Sequence, residues 1–436
     1  MTQSWYAVAL AATALVLSVG VAPLAATRRF AGALFVVAGA ALLLPPGLSL
    51  TALAVLATAF SVDAVFARRH PVVRRSVSPV LSRGVPSPLE LSSTTRDTVR
   101  LRQPRLPDFD LDTAEADTRL DTEIIPRRRG RHTLPAPAAR VTGPLGLASW
   151  YRRAGAPAET LVYPDLPAAR RLALAVRQGR FRSPGRITRG PLGLGTDFES
   201  IREYQPDDDI RQVNWRATQR TGRPMSNQYR VEQDREIICL VDCGRLMAAP
   251  LDDRTRLDAA IDAAVSVALV ADELGDRCGV VAFDAVVRRH LATRRSGGDA
   301  VVRALFDLEP AEGDSEYELA FRTVGTKKRA LVIVFTDLLD EAAASSLLDA
   351  VPMLARRHAV VVATVEDPDV RRFARTAPQQ VGDVYATTVA LDVLDTRTRV
   401  AAQLRRLGTE VIEAPPESFS AVCVAAYLRA KARARL

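Results

Sequence analysis

The feature that most constrains this chain is the alternation of apolar runs and helical patterns after residue 235. Five short runs rich in Val, Ile and Leu occur at Glu236 to Asp242, Gly279 to Phe283, Ala330 to Thr336, Ala359 to Val365 and Glu410 to Glu413. Between and after them lie stretches with helical spacing: Arg256 to Leu274, Asp299 to Asp307, Ala342 to Arg357, Val393 to Leu407 and Phe419 to Arg433. A continuous apolar run of strand length suits a strand buried on both faces, and parallel strands need long crossovers. The alternation therefore predicts an α/β domain over 236–436, a mostly parallel Rossmann-type sheet with helices on both faces. In open sheets of this class a ligand sits beyond the carboxyl ends of the strands. Asp242 ends the first run and Asp337 follows the third, so two carboxylates are expected at one crevice.

The N-terminal part obeys a different rule. Residues 5–26 carry no charge and are long enough to cross a hydrocarbon core of ~30 Å. A second apolar stretch, 30–44, is broken by Pro45, Pro46 and Gly47, and a third, 48–66, contains only Asp63 near its end. Arg28 and Arg29 follow the first stretch, and Arg68, Arg69, Arg74 and Arg75 follow the third. The positive-inside rule puts both Arg groups in the cytoplasm. Residues 1–75 are thus expected to form a multi-pass anchor of about three spans in the cell membrane, with the soluble domains in the cytoplasm. Two spans fit the same charges. The missing positive n-region argues against a cleaved signal peptide.

Residues 76–165 alternate apolar and polar positions in short runs punctuated by Pro and Gly, which predicts a small β-sandwich-like domain. Over 166–196 a helical pattern, Leu166 to Gln178, leads into a Gly/Pro-rich linker that lacks the G-K-S/T of a phosphate loop.

Charge and cysteine content narrow the function classes. The net charge is +9, yet Arg is spread through every segment and no Lys/Arg face interleaves with aromatics, so nucleic acid is not an expected partner. Cys239, Cys243, Cys278 and Cys423 form no C-x-x-C, consistent with reduced, buried thiols. His70, His132, His290 and His358 are too dispersed to suggest zinc-ligand spacing.

Residues 197–235 carry the densest charge: Arg202, Glu203, Asp207, Asp208, Asp209, Arg211, Arg216, Arg220 and Arg223, with Tyr204 and Trp215 embedded. One reading is structural. Arg202, Arg211 and Arg216 pair with Glu203 and Asp207 to Asp209 while Tyr204 and Trp215 supply apolar area. A core Trp215 would then cost ~3–5 kcal/mol on truncation. The other reading makes part of this surface a docking site, with exposed Arg and Trp as hot spots. General acid–base catalysis by Asp207 to Asp209 is disfavoured, because neighbouring residues on a turn diverge.

The pattern E-x-I-R-E-Y-x-P-x-D-D-x-R-x-x-x-W-x-A-T-x-R-T-G at 199–222, followed by a strand ending in Asp and then G-R-L-M, resembles the domain-of-unknown-function family 58. Those are membrane-anchored proteins with a von Willebrand factor A-like domain, often encoded beside a MoxR-type AAA+ ATPase. The resemblance implies a non-enzymatic interaction module that docks a MoxR-type ATPase or client proteins on the cytoplasmic face, in assembly or maturation of other proteins. Metal-binding A-type domains carry D-x-S-x-S after the first strand. Here Asp242, Gly244 and Leu246 match it, so both hydroxyls are missing; Asp337 matches the distal carboxylate and Ser315 stands for the usual Thr. A degenerate metal site is expected, with no cofactor and no catalytic residue. The alternative is a hydrolase or ligand-binding enzyme that uses Asp242 and Asp337.

Overall fold

The apolar runs after residue 235 form one six-stranded sheet in the computed structural model, which describes residues 24–94, 98–182, 197–205, 208, 210–230, 234–324, 329–338 and 341–432. The chain divides into two compact units, Met1–Val162 and Tyr163–Leu436.

In the second unit the elements, in chain order, begin with helix α1 (Leu166–Arg177) and the strands β1 (Asp197–Glu203) and β2 (Met225–Arg230), which enclose a short helix α2 (Trp215–Thr221). The sheet then uses β3 (Glu236–Asp242), β4 (Arg277–Phe283), β5 (Val287–Arg295), β6 (Leu331–Phe335), β7 (Ala359–Val365) and β8 (Glu410–Ala414). The helices along it are α3 (Arg256–Glu273), α4 (Gly298–Leu305), α5 (Tyr317–Thr323), α6 (Glu341–Ala355), α7 (Pro368–Arg375), α8 (Val381–Arg406) and α9 (Phe419–Ala432). Strand order is β5-β4-β3-β6-β7-β8. All neighbours are parallel except β4 and β5, so the sheet is mixed α/β and mostly parallel.

Burial explains the order. β3 and β6 lie in the middle, and Ile237 to Val241 and Leu331 to Phe335 are shielded from solvent. Their side chains alternate between two apolar layers. Cys239, Val241, Ile333 and Phe335 face α3 and α9, while Leu240, Val332 and Val334 face α5, α6 and α8. The antiparallel strand β5 is absent from the sequence expectation because Arg288, Arg289, His290, Arg294 and Arg295 interrupt its apolar pattern. Charge on an edge strand guards it against pairing with another chain. Helix α8 starts at Val381, twelve residues before the expected Val393, where a reciprocal cap between Gln380 and Asp383 fixes its first turn. Its buried residues begin only at Ala390.

A buried charge ties α9 to the sheet. The Asp276 carboxylate is fully buried and receives the Tyr427 hydroxyl, the Lys431 ammonium at 2.6 Å and the Arg235 amide at 3.1 Å. Burial, followed by the charge of Asp276, pushes the Tyr427 phenol well above its usual range.

The first unit contains five-, four- and three-stranded sheets whose pairings are antiparallel wherever their register is resolved. They close around Leu89, Leu91, Val99, Leu101, Leu120, Ile124 and Val141. Two helices precede the sheets, Arg28–Ala40 and Pro46–Ala67. Only Pro46–Ala67 is long and apolar enough to cross a membrane, among the described residues. This corrects the expected multi-pass anchor in two places. Arg28–Ala40 has 13 residues, about 20 Å of helix, so the stretch expected at 30–44 falls short of a bilayer core. Leu24–Ala26, the end of the expected first span, is a strand paired with Ala148 to Trp150. The rest of 5–26 lies outside the described residues.

Asp63 does not face lipid. It is buried and accepts the amides of Leu145 at 2.7 Å, Leu147 at 2.6 Å and Ala148 at 2.8 Å, so the apolar helix is fixed to a hairpin turn of the first unit.

Replacing Asp276 with Ala leaves Lys431 buried without its counter-charge, and a loss of ~3–5 kcal/mol is expected. Combining Asp276→Ala with Lys431→Met should recover most of it. Denaturant unfolding of the detergent-solubilised chain and both variants measures the difference.

Candidate functional site

In this sheet the chain works outward from β3 through β4 to β5 and, on the other side, from β6 through β7 to β8. The reversal between β3 and β6 makes their carboxyl ends the place where such folds form a crevice. Asp242 is the last residue of β3, and Asp337 stands two residues after β6.

Both carboxylates are buried, and both are engaged. On Asp242, Oδ1 accepts the Gly244 amide at 2.8 Å and the Ser315 hydroxyl. Its Oδ2 accepts the Thr336 hydroxyl at 2.6 Å and the Tyr317 hydroxyl at 3.0 Å. Burial and then the Asp242 charge push the Tyr317 phenol well above its usual range. Leu246 sits in the short helical turn Arg245–Ala248 and makes no contact with the carboxylate among the described hydrogen bonds. A Cβ at Gly244 would collide with the Ser315 hydroxyl. Ser315 thus occupies the space that the first serine of D-x-S-x-S would need.

Asp337 is held by cations. Arg256 Nη1 meets its Oδ2, while its Oδ1 accepts Arg397 Nη2 at 3.1 Å and the Leu338 amide at 2.7 Å. Both arginines are only 3% exposed. Arg256 also donates to Asp367 at 2.7 Å, and Arg397 to Glu413 at 3.1 Å. Burial, with the like charge of Arg397 next, lowers the Arg256 guanidinium to about 10. Burial is also the largest cause lowering Arg397. The cavity beside this cluster, lined by Met247, Arg256, Ala260, Asp337 and Phe419, holds about 10 Å³. That is room for roughly one water, not for a substrate.

Neither arginine belongs to a sequence motif that points to this site. The available signal for Arg256 is its place as the first residue of α3, where a cation opposes the helix dipole. For Arg397 it is a cation on the same buried stripe of α8 as Ala390, Val400 and Leu404.

The signature segment folds as the β1–β2 hairpin with α2 between its strands. The Asn214 side chain caps α2 at the Ala217 amide, 2.9 Å, and Gly222 ends it at φ +68°, where glycine is favoured. Arg202 pairs with Asp208 at 2.5 Å, and Arg223 with Glu203 at 2.9 Å. Asp208 also accepts the Gln205 amide at 2.9 Å, while its carbonyl takes the Tyr204 hydroxyl at 3.1 Å. The Gln205 amide first, and Arg202 second, hold the Asp208 carboxyl below its usual range. These contacts fit part of the expected charge pairing. The expected packing of Trp215 beneath the charges is corrected: its side chain is 68% exposed, and Ile210 nearby in sequence is 71% exposed. Arg216 and Arg220 on α2 are exposed as well. Asp207, Asp209 and the side chain of Arg211 lie outside the described residues.

Residues 200–409 match the family described as protein of unknown function DUF58. The chain is 28% identical over 220 residues to the uncharacterized protein Rv1480 of Mycobacterium tuberculosis and to the uncharacterized protein Mb1516 of Mycobacterium bovis. Each match covers 47% of this chain and 66% of the relative, so the chain spans about two thirds of the length of these relatives. A solved structure of proximal thread matrix protein 1 from the mussel byssus aligns at 12% identity and a TM-score of 0.27, covering 46% of each chain.

Gly244→Ser should destabilise the chain by ~1–3 kcal/mol through overpacking against Ser315. Ser315→Gly in the same chain should restore most of that loss, and a double-mutant cycle of unfolding free energies checks it. Millimolar Mg²⁺ is expected to leave the melting temperature where EDTA leaves it; a rise would show a cation held by Asp242 or Asp337.

Proposed function

We propose that this chain is a membrane-anchored protein-interaction module, held to the bilayer by Pro46–Ala67, whose signature hairpin docks a partner on the cytoplasmic face. The observation that carries the reading is the exposure of Trp215 and Ile210 beside Arg216 and Arg220. Trp and Arg are the side chains that most often dominate binding energy when a partner buries them. The hairpin supplies a prepared platform, because its own pairs Arg202–Asp208 and Arg223–Glu203 fix its shape before any partner arrives. Preorganisation of this kind lowers the entropy cost of docking.

The partner class we propose is a MoxR-type AAA+ ATPase, with client proteins as the further cargo, in assembly or maturation of other proteins. The resemblance of residues 199–222 to family 58 supports this, as does the parallel sheet with one antiparallel edge strand, which suits a von Willebrand factor A-like domain. The enzyme alternative finds less support. A general base needs a carboxylate with a lone pair directed at a substrate, whereas Asp242 receives four donors and Asp337 two guanidiniums.

Trp215→Ala should leave unfolding free energy within ~0.5 kcal/mol of the parent, as for a surface side chain. A crosslinked pull-down of the full chain from its native membranes, with and without ATP, should recover an AAA+ ATPase with the parent and lose it with the folded variant. Recovery of no ATPase in either condition would remove the proposed partner.

A further inference from the structure

The junction between the apolar helix and the sheets of the first unit gathers cations around one tryptophan. The Trp150 Nε1 donates to the Ala64 carbonyl at 2.8 Å, which fixes the indole against the end of helix Pro46–Ala67. The Arg68 guanidinium lies 5.9 Å from the centre of that ring and the Arg152 guanidinium 5.6 Å. Two like charges thus share one indole. Burial first, and Arg68 second, lower the Arg152 guanidinium. Arg152 Nη1 lies 3.0 Å from the His70 ring nitrogens, and its buried Nε has no hydrogen-bond partner.

Among the described residues, Arg28, Arg29, Arg68, Arg69 and Arg152 form no ion pair with an acid. Asp63, one turn before Ala67, is already committed to the amides of Leu145, Leu147 and Ala148. Arg29 lies against Gly146 of the same hairpin turn. Two uncompensated guanidiniums on one ring, the half-buried Arg152 and the exposed Arg68, make a place for an anion.

The surroundings say which anion. Val62, Val65 and Phe66 are exposed at 46%, 70% and 43% and lead directly to Arg68, and Leu145 at the turn is 53% exposed. An apolar helix face that ends in Arg and Trp matches a lipid: tails on the aliphatic face, phosphate at the guanidiniums. Free phosphate would use the arginines but leave the apolar face uncovered.

We propose that the junction of Arg68, Trp150 and Arg152 binds the phosphate of an anionic phospholipid whose acyl chains lie along Val62, Val65 and Phe66. This rests on helix Pro46–Ala67 meeting a bilayer and is independent of whether the signature hairpin docks an ATPase.

The test uses the full chain in micelles of a neutral detergent, with Trp5 and Trp215 replaced by Phe so that emission reports Trp150. Short-chain phosphatidylglycerol should shift that emission saturably. Phosphatidylcholine and inorganic phosphate should need about tenfold more or fail to saturate. Arg152→Gln and, separately, Arg68→Gln should each weaken the phosphatidylglycerol response about tenfold. Neither should lower the melting temperature in lipid-free micelles, since each removes one of two mutually repelling charges. Equal response to phosphatidylcholine would overturn the proposal. So would equal response to inorganic phosphate, which would mark a free-anion site, or unchanged binding by both folded variants.

Discussion

Asp337 held between Arg256 and Arg397 is the interaction on which the carboxyl end of the sheet depends. A single buried carboxylate joins the start of α3 to the middle of α8, across the strand-order reversal. The outer arms of the two arginines extend the network: Arg256 reaches Asp367, the residue that caps α7, and Arg397 reaches Glu413 on β8. Helix α3 is thereby tied to α7, α8 and β8, three consecutive elements far from it in sequence. The cost of burying two guanidiniums is met by three carboxylates, two of them, Asp367 and Glu413, still in reach of water.

The same arrangement decides what the crevice can do. Where a cation-binding domain leaves carboxylates open to a metal, this chain fills the space with its own groups. Two guanidiniums hold Asp337, and three hydroxyls with an amide hold Asp242. Chemistry at this end would first require breaking those contacts. On the signature hairpin Asp208 and Glu203 pair with Arg202 and Arg223, while Trp215, Arg216 and Arg220 are open to solvent. Charge in this protein thus has two uses: buried, it fixes elements; exposed beside Trp215, it is available to a partner.

How much of this was legible in the sequence follows from the range of the interactions concerned. The parallel strands were legible because burial on both faces demands continuous Val, Ile and Leu, as in Leu331 to Phe335. Edge strand β5 was not, because exposure lets Arg and His replace the apolar pattern. The strand-end positions of Asp242 and Asp337 were legible from strand length alone. Their partners were not, since Asp242 and Ser315 lie 73 residues apart and Asp337 and Arg397 lie 60 apart. Trp215 illustrates a different limit. An aromatic within a charged stretch fits a core and an interface equally well, and only its exposure separates them.

The measurement that tests the central claim most directly replaces the buried cluster as a unit, with Arg256→Met, Asp337→Leu and Arg397→Met in one chain. Buried ion clusters exchanged for apolar side chains of similar size are often neutral or stabilising. If the charges at the strand ends serve only to fix α3, α7, α8 and β8, the triple variant should fold, melt at or above the parent temperature and still capture the partner through Trp215. A folded triple variant that no longer captures the partner, or that loses a reaction the parent carries out, would contradict the account and return the function to the crevice.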